Sequence, residues 1–304
     1  MEQYIDDPFD EVAAVSDLAG ELAVPPHEVA RRTFATSTGN LSGLVWASGS
    51  PAEIFLHGGG QNAHTWDAVM HLRRRNVLAL DLPGHGESSW FDDPTYLPRT
   101  MAVPIAEVMR TLPQPLDLIV GMSLGGLTAI AVAAAHPESI RGLAVVDASP
   151  GVRPYQAREV TDFVAQSEYP DFESLLQRTM MYRKGKSRTS LARSLRYNAR
   201  PTASGTWVWR ADRRDGMSGN RLAAVFDDLP TYWEDVRRLR CPTLLVLGEM
   251  SPIVSADDVE RYRREVADLR IVRIGGAGHN IQGDRPHELA GAIEEFRATL
   301  LSST

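Results

Sequence analysis

The residues from Gly121 to Gly125 read G-x-S-x-G and lie between an apolar run and a helical pattern. In that context the motif is typical of a nucleophile elbow, a sharp strand-to-helix turn that exposes a serine hydroxyl. Flanking glycines relieve the crowding at such a turn. The helix that begins at Leu124 also directs free N–H groups toward an anion formed beside Ser123. We therefore predict that Ser123 is a nucleophile, with an ordinary Gly-Ser turn as the alternative.

A second glycine-rich motif, HGGG at His57 to Gly60, follows the third predicted strand. Three glycines let backbone N–H groups approach a ligand closely, as an oxyanion hole requires. We expect the N–H groups of Gly59 and Leu124 to form that hole, with Gly60 as the substitute. A merely flexible loop is the alternative. The motif DLPGHGES follows the next strand as a turn, and we interpret its His85 as structural.

The elements that must position these groups alternate between short β-rich runs and helical-period segments. That alternation predicts parallel strands joined by helical crossovers. A helix over Phe9 to Val24 precedes strands near residues 32–36 and 41–47, and six apolar strands follow. The alternation of strand and helix patterns is interrupted over residues 150–235 and resumes at the strand TLLVLGE. Because the strand series continues beyond it, this stretch is interpreted as an insertion in one α/β domain.

Four motifs in order, HGGG, DLPGHGES, GMSLGG and GGAGHNIQGDRPHEL, resemble those of the α/β-hydrolase fold superfamily of serine hydrolases. The resemblance covers nearly all of residues 32–300. It implies an α/β fold with a mostly parallel eight-stranded sheet and helices on both faces. It further implies a helical cap, residues 150–235, inserted after the sixth strand of a core made of residues 1–149 and 236–304.

The same resemblance identifies His279, in the loop after the last strand, as the general base for Ser123. The acid departs from the commonest family pattern, because GEMSPIV places Ser251 where members usually carry the catalytic Asp. A serine cannot stabilise an imidazolium as a carboxylate does. Some members, such as certain haloalkane dehalogenases and the zearalenone lactonases, carry the acid after the strand that follows the elbow.

Asp147 ends that strand here, one strand over from the nucleophile, and we assign it the role of orienting the histidine. Two alternatives stay open. Asp147 could cap the first helix of the insertion, and Glu249 could be the acid.

The resemblance places the insertion over the active site, where its side chains would line a substrate pocket. Its pattern suggests helices over Tyr155–Gln166, Phe172–Tyr182, Leu191–Ala199 and Asn220–Asp228. As substrate-binding residues we name two in the insertion and one soon after HGGG, namely Trp207, Trp209 and Trp66. Most of the other large side chains are expected to pack the cap itself; these are Phe163, Phe172, Met180, Met181, Phe226 and Trp233.

The stretch from Arg178 to Arg214 contains eleven basic residues and a single acidic residue, Asp212. Arg193, Arg196 and Arg200 have the spacing of one helical face. A solvated surface is one interpretation. The other is that this face docks an acidic partner, such as a carboxylate-bearing substrate or an acyl carrier protein.

The overall composition narrows the class of protein. Of 304 residues, 43% are hydrophobic and 23% charged, as in ordinary globular domains. The net charge of −7 argues against nucleic acid as a partner. No apolar stretch reaches the ~20 residues of a membrane span, and the acidic N-terminus lacks signal-peptide features. We therefore expect no membrane association and a cytoplasmic location, with Cys241 as a buried structural thiol.

These residues predict a cofactor-independent serine hydrolase, without a metal, that cleaves a carboxylic ester or lactone of a small-molecule substrate through an acyl-enzyme. The same machinery serves carbon–carbon bond hydrolases and thioesterases, so both remain alternatives. A ligand-binding or non-hydrolytic member of the fold is the alternative from a different class.

Overall fold

The computed structural model describes residues 11–46, 49–158, 162, 168–183, 185–212, 214 and 225–302. Its strands, in chain order, are β1 Val29–Thr36, β2 Gly39–Trp46, β3 Glu53–Leu56, β4 Val77–Leu80, β5 Leu118–Met122, β6 Leu143–Val146, β7 Glu168–Tyr169, β8 Ala199–Pro201, β9 Trp207–Trp209, β10 Thr243–Gly248 and β11 Leu269–Ile274.

The described α-helices surround these strands. They are α1 Glu11–Glu21, α2 Asp67–Arg73, α3 Pro98–Met109, α4 Leu124–Ala135, α5 Phe172–Tyr182, α6 Arg188–Asn198, α7 Trp233–Arg238, α8 Ala256–Glu265, α9 Ile281–Asp284 and α10 Pro286–Ser302. None of them is long and apolar enough to cross a lipid bilayer.

The main sheet has eight strands in the order β1-β2-β4-β3-β5-β6-β10-β11. The hairpin β1–β2 is antiparallel, and β2 also pairs antiparallel with β4. The remaining neighbours all pair in parallel. The predicted fold class is thereby confirmed. The carboxyl ends of β3, β5, β6, β10 and β11 share one edge, which is where open α/β sheets place their sites.

Helices cover both faces of this sheet because its central strands are apolar on both sides. One buried cluster joins the sheet to α3, α4, α7 and α8. A second joins the other face to α1, α2 and α10. The nearly all-apolar sequence of α4 matches its position, since this helix packs on the sheet and against both α3 and α7.

Between β6 and β10 the chain leaves the main sheet, and we call residues 150–235 the inserted segment. Its described part contains α5, α6 and a small antiparallel sheet in the order β7-β9-β8, with a hydrophobic cluster of its own. The sequence predicted helices alone here, because strands of two or three residues leave no readable alternation. The predicted helix over 172–182 is present as α5. The one predicted over 191–199 is present as α6, which begins earlier, at Arg188, and ends at Asn198.

The other two predicted helices of the inserted segment fall largely outside the described residues. Residues 225–228 are helical, whereas 220–224 are not described, and the stretch 155–166 is described only at 155–158 and 162. The division into a core and a cap domain stays a prediction.

Candidate active site

Ser123 occupies the sharp turn between β5 and α4 that its motif predicts. Its backbone φ of 53° lies in the left-handed region, which a non-glycine residue seldom adopts. The two flanking glycines make this turn feasible. A Cβ on Gly121 would lie 2.1 Å from the carbonyl oxygen of Gly125, and one on Gly125 would lie 2.4 Å from that of His57. The fold therefore holds Ser123 in a strained conformation at the carboxyl edge of the sheet.

Three side chains from distant parts of the chain form one chain of hydrogen bonds at this edge. The Oγ of Ser123 lies 3.0 Å from Nε2 of His279, and Nδ1 of His279 lies 2.8 Å from Oδ2 of Asp147. With neutral imidazole the serine hydroxyl donates to Nε2, and the Nδ1–H donates to the carboxylate. This is the geometry in which a serine proton can pass to a histidine base.

Asp147 begins the loop after β6 and is 1% exposed. Its φ of 49° is, like that of Ser123, in the left-handed region. The backbone N–H of Gly248 donates to Oδ1 at 3.3 Å, and the hydroxyl of Ser251 donates to Oδ2. These donors stabilise the ionised carboxylate in a buried position. These contacts place Asp147 against the imidazole of His279, and within the part of the chain that the structure describes its carboxylate accepts from no helix N-terminus.

Glu249, the rival acid, lies elsewhere. Its side chain is exposed and accepts a hydrogen bond of 2.8 Å from the backbone N–H of Gly276. Ser251 holds the position that the resemblance gives to the acid, and instead it donates to the acid. Sequence reasoning missed this supporting role, although the position of Ser251 after the penultimate strand was a signal for it.

The HGGG loop lies beside the nucleophile. A Cβ on Gly58 would lie 3.3 Å from that of Ser123, and one on Gly59 would lie 3.6 Å from the side chain of Leu124. Among the described residues, the N–H groups of Gly59 and Leu124 donate to no other protein group. Gly60 lies at the turn with a φ of 73°. The structure thus brings the predicted donors to the serine, and their role as an oxyanion hole stays a prediction.

His57 holds this loop in place, a role that the sequence did not reveal. Its Nε2 accepts from the N–H of Leu82 at 2.9 Å, so its Nδ1–H donates to the carbonyl of Gly58 at 2.8 Å. Complete burial, together with the neighbouring His85, lowers the pKa of His57 to about 3. The ring is therefore neutral, and it fixes the peptide that carries the Gly59 N–H. His85 packs edge-on against it at 5.2 Å, a structural role.

A cavity of about 1420 Å³ lies above Ser123. One wall of the cavity is apolar, and its side chains are part of, or pack against, the buried cluster that joins the sheet to α3 and α4. These side chains are Leu124, Leu127, Ala148, Val152, Val225, Phe226 and Leu229. Polar side chains line the cavity near the other face of the sheet, namely Gln61, His64, Thr65, Asn198, Asn280 and Gln282. The cavity therefore offers both apolar and hydrogen-bonding walls.

The three predicted tryptophans have different positions. Trp209 lines the cavity. Trp66 is fully buried, packs edge-on against Phe55 at 5.0 Å and does not line the cavity, so its assignment to substrate is wrong. The cause is the 3₁₀ helix Ala63–Trp66, which turns this side chain into the core. Trp207 packs on Phe172 at 4.8 Å within the inserted segment and is likewise absent from the cavity wall.

The remaining large side chains also divide. Met181 and Phe226 line the cavity, whereas Phe172, Met180 and Trp233 do not, and Phe163 lies outside the described residues.

The arginines of the inserted segment do not form one helical face. Arg193 and Arg196 lie on α6, whereas Arg200 lies in β8, because the helix ends at Asn198. Arg193 makes a two-fold ion pair with Glu21 of α1, at 2.6 and 2.9 Å, which lowers the pKa of Glu21. Arg196 lies over the ring of Phe172. Docking of an acidic partner here stays a prediction.

No cluster of three or more potential metal ligands occurs in the part of the chain that the structure describes.

Comparisons with known proteins agree with this fold. A model of the alpha/beta hydrolase family matches residues 54–292. Esterase Rv0045c from Mycobacterium tuberculosis is 37% identical in an alignment of 302 positions that covers 96% of this chain and 96% of the esterase. A solved structure of that esterase superposes with a TM-score of 0.82 at 33% identity, over 95% of this chain and 99% of that one.

A more distant relative is 2-(acetamidomethylene)succinate hydrolase from Mesorhizobium japonicum, which is 27% identical over 92% of this chain and 99% of its own. The family model covers more than half of the chain, and Esterase Rv0045c resembles it over nearly its whole length. This chain belongs to the alpha/beta hydrolase family.

Proposed function

We propose that this protein is a serine hydrolase that cleaves carboxylic esters through an acyl-enzyme. The observation that carries the proposal is the continuous hydrogen-bond chain from Ser123 through His279 to Asp147 beside a cavity. Ser123 is the nucleophile, His279 the general base and Asp147 the group that orients the imidazole. Backbone N–H groups of Gly59 and Leu124 would bind the oxyanion, with Gly60 as the substitute donor.

In the first half-reaction Nε2 of His279 takes the Ser123 proton while Oγ bonds to the ester carbonyl carbon. The carbonyl π electrons move to oxygen, and the resulting oxyanion is stabilised by the backbone donors. When the tetrahedral intermediate collapses, the bond to the alcohol oxygen breaks and His279 gives that oxygen its proton. The alcohol leaves, and the acyl group stays on Ser123.

In the second half-reaction a water takes the place of the alcohol. His279 removes one proton from this water as its oxygen attacks the acyl carbon, and collapse breaks the bond to Oγ of Ser123. The proton returns to the serine, and a carboxylic acid is released. Throughout, the ionised Asp147 stabilises the imidazolium without itself taking a proton.

The relatives support ester cleavage. The relative with 37% identity is named an esterase, and it covers nearly all of both chains. Within this class we propose esters or lactones with an apolar portion, because the cavity pairs an apolar wall with a polar one. The apolar wall excludes water from the acyl portion, and the polar wall offers hydrogen bonds to the rest of the substrate.

The test combines a covalent probe with a substrate panel. A fluorophosphonate should label the wild-type protein at Ser123 and should not label Ser123→Ala. Among p-nitrophenyl esters, lactones and thioesters, the esters or lactones should have the highest kcat/KM. Absence of the adduct would favour a ligand-binding member of the fold. Turnover confined to thioesters or carbon–carbon bonds would contradict the proposed substrate class.

We also propose a cytoplasmic location. Cys241 is the single cysteine, and burial raises the pKa of its thiol to about 11, so the thiol stays protonated and unreactive. Such a chain makes no internal disulfide, which suits a reducing compartment. Fractionation of the native cells should find the protein with cytoplasmic markers, and recovery in the secreted fraction would contradict this location.

Recognition of an acidic partner by the basic residues of the inserted segment is a separate proposal. Reversing Arg193 would also break its ion pair with Glu21 of α1, so the test reverses the charge of Arg196 and Arg200. Their replacement by Glu should lower kcat/KM for an acidic substrate or carrier more at low than at high ionic strength. If the charge-reversed variants and the wild type have the same kcat/KM at every salt concentration, this proposal is wrong.

A further inference from the structure

The carboxylate of Asp284 is hydrogen-bonded to the loop that carries His279. This residue, the last of α9, accepts a hydrogen bond of 3.0 Å at Oδ2 from the backbone N–H of Gly278. Its own N–H donates to the carbonyl of Asn280 at 2.9 Å. Gly278 and Asn280 are the residues on either side of His279. The contacts of Asp284 therefore hold the backbone of the general base from both sides.

The other oxygen of this carboxylate faces the inserted segment. Nζ of Lys186, in the loop between α5 and α6, lies 3.0 Å from Oδ1 of Asp284. The same ammonium donates to the carbonyl of Gly283 at 2.5 Å. Both charged side chains are about three-quarters buried and line the cavity. Partial burial makes the ion pair stronger than an exposed pair, which is usually worth little.

From these contacts we infer that Asp284 is a positioning residue for His279, and that Lys186 makes this positioning depend on the inserted segment. The inference rests on the proposed function. When the loop that contains Lys186 lies on the core, the ion pair holds α9, and α9 holds the imidazole at Ser123 and Asp147. When that loop moves away, the carboxylate loses its cation and the histidine loop loses a restraint.

Such coupling has a chemical use. The serine–histidine distance of 3.0 Å must be kept through proton transfer, and small displacements of a catalytic group reduce rates strongly. A base that is held firmly only with the inserted segment in place would act fastest on a substrate enclosed in the cavity. Lys186 and Asp284 would then affect kcat more than KM for a small ester.

The variants separate the two contacts of Asp284. Asp284→Asn keeps an amide oxygen that can accept from the Gly278 N–H but removes the charge that Lys186 needs. Lys186→Met keeps the aliphatic stem without the cation. Asp284→Ala removes both contacts. The matched control is Arg188→Met, which breaks an ion pair with Glu173 that lies wholly within the inserted segment.

Lys186→Met and Asp284→Asn should each lower kcat about tenfold with little change in KM, within the usual range of coupling between sites. Their combination should lower kcat no further than Lys186→Met alone, because both substitutions break the same ion pair. Asp284→Ala should lower kcat more than either, Lys186→Arg should restore most of it, and Arg188→Met should match the wild type. Thermal unfolding should show that all variants are folded.

Wild-type kcat in Lys186→Met, or additive losses in the double variant, would overturn the inference. The rate of fluorophosphonate labelling at Ser123 distinguishes this failure from failure of the proposed function. If the wild type is not labelled, the proposed function fails. If the wild type and Lys186→Met are labelled equally fast while Ser123→Ala is not labelled, the hydrolase stands and only the coupling is lost.

Discussion

The hydroxyl of Ser251 donates to Oδ2 of Asp147, the same oxygen that accepts from Nδ1 of His279. Two loops at neighbouring strands, β6 and β10, thus meet at one carboxylate oxygen. Ser251 lies where family members usually carry the acid, and here it donates a hydrogen bond to Asp147, which follows the neighbouring strand. Positions 147 and 251 thus meet at the oxygen that accepts from the imidazole, and of the two only position 147 carries a carboxylate.

Removing the carboxylate should nearly abolish catalysis. Asp147→Asn is expected to lower kcat by about 10⁴-fold, because the amide favours the wrong imidazole tautomer and cannot stabilise the imidazolium. Glu249→Gln is the control, and it should retain the wild-type kcat because the exposed Glu249 side chain accepts its hydrogen bond from the backbone of Gly276 and not from His279. Steady-state kinetics on one ester measure both. Loss of turnover in Glu249→Gln alone would reverse the assignment of the acid.

The acid should also be transferable to the usual family position. In the double variant Asp147→Asn, Ser251→Asp, the new carboxylate would start from a side chain already hydrogen-bonded to position 147. We expect it to recover at least about tenfold of the kcat that Asp147→Asn loses, since either strand end reaches the same imidazole. The comparison is kcat of the double against the single variant. No recovery in a folded double variant would show that position 251 cannot support the base.

The glycines of the elbow and of the HGGG loop should differ in their effect on stability. Gly125→Ala would place a Cβ 2.4–2.5 Å from the carbonyl oxygens of His57 and Leu56, whereas the Cβ of Gly59→Ala meets the Leu124 side chain at an ordinary 3.6 Å. We expect Gly125→Ala to lower the free energy of unfolding by about 1–3 kcal/mol or more. Gly59→Ala should change it by less than about 0.5 kcal/mol. Urea denaturation of both variants checks this, and equal stabilities would contradict the crowding at the elbow.

His57 should stay neutral far below the pH at which an exposed histidine gains a proton, because burial lowers its pKa to about 3. Side-chain ¹⁵N NMR should find its proton on Nδ1 at pH 5, and a protonated ring at that pH would contradict the prediction. The sign for stability follows from the unfolded pKa of about 6.5. As pH falls from about 6.5 toward 3, the unfolded chain binds a proton that the folded one does not. His57 therefore lowers the free energy of unfolding by up to about 1.4 kcal/mol per pH unit in this range.

The sequence predicted those features that depend on local pattern or on strand order. The elbow could be recognised because its glycines and its serine are adjacent in the chain. Asp147 could be recognised because the ends of neighbouring parallel strands share an edge, whatever the details of packing. Six of the eight strands followed from apolar runs, which are typical of strands in a sheet that is covered on both faces.

Features that depend on side-chain direction or on long-range contact could not be predicted. Trp66 follows HGGG closely, yet a 3₁₀ turn directs it into the core beside Phe55. Ser251 can donate to Asp147 only because β10 pairs with β6. His57 can hold the HGGG loop only because the backbone N–H of Leu82 donates to its Nε2. The position of Ser251 after the penultimate strand was a signal that it belongs to the site, but it did not identify Asp147 as its partner, and the sequence around His57 gave no signal of its contact with Leu82.

The helix α1 precedes residue 54, where the match to the family model begins, yet Leu18 and Leu22 contribute to the cavity wall and Glu21 holds Arg193 of α6. Part of the cavity wall thus lies outside the stretch that carries Ser123, Asp147 and His279. An exchange of this N-terminal helix alone could redirect the enzyme toward other esters while its reaction stayed the same.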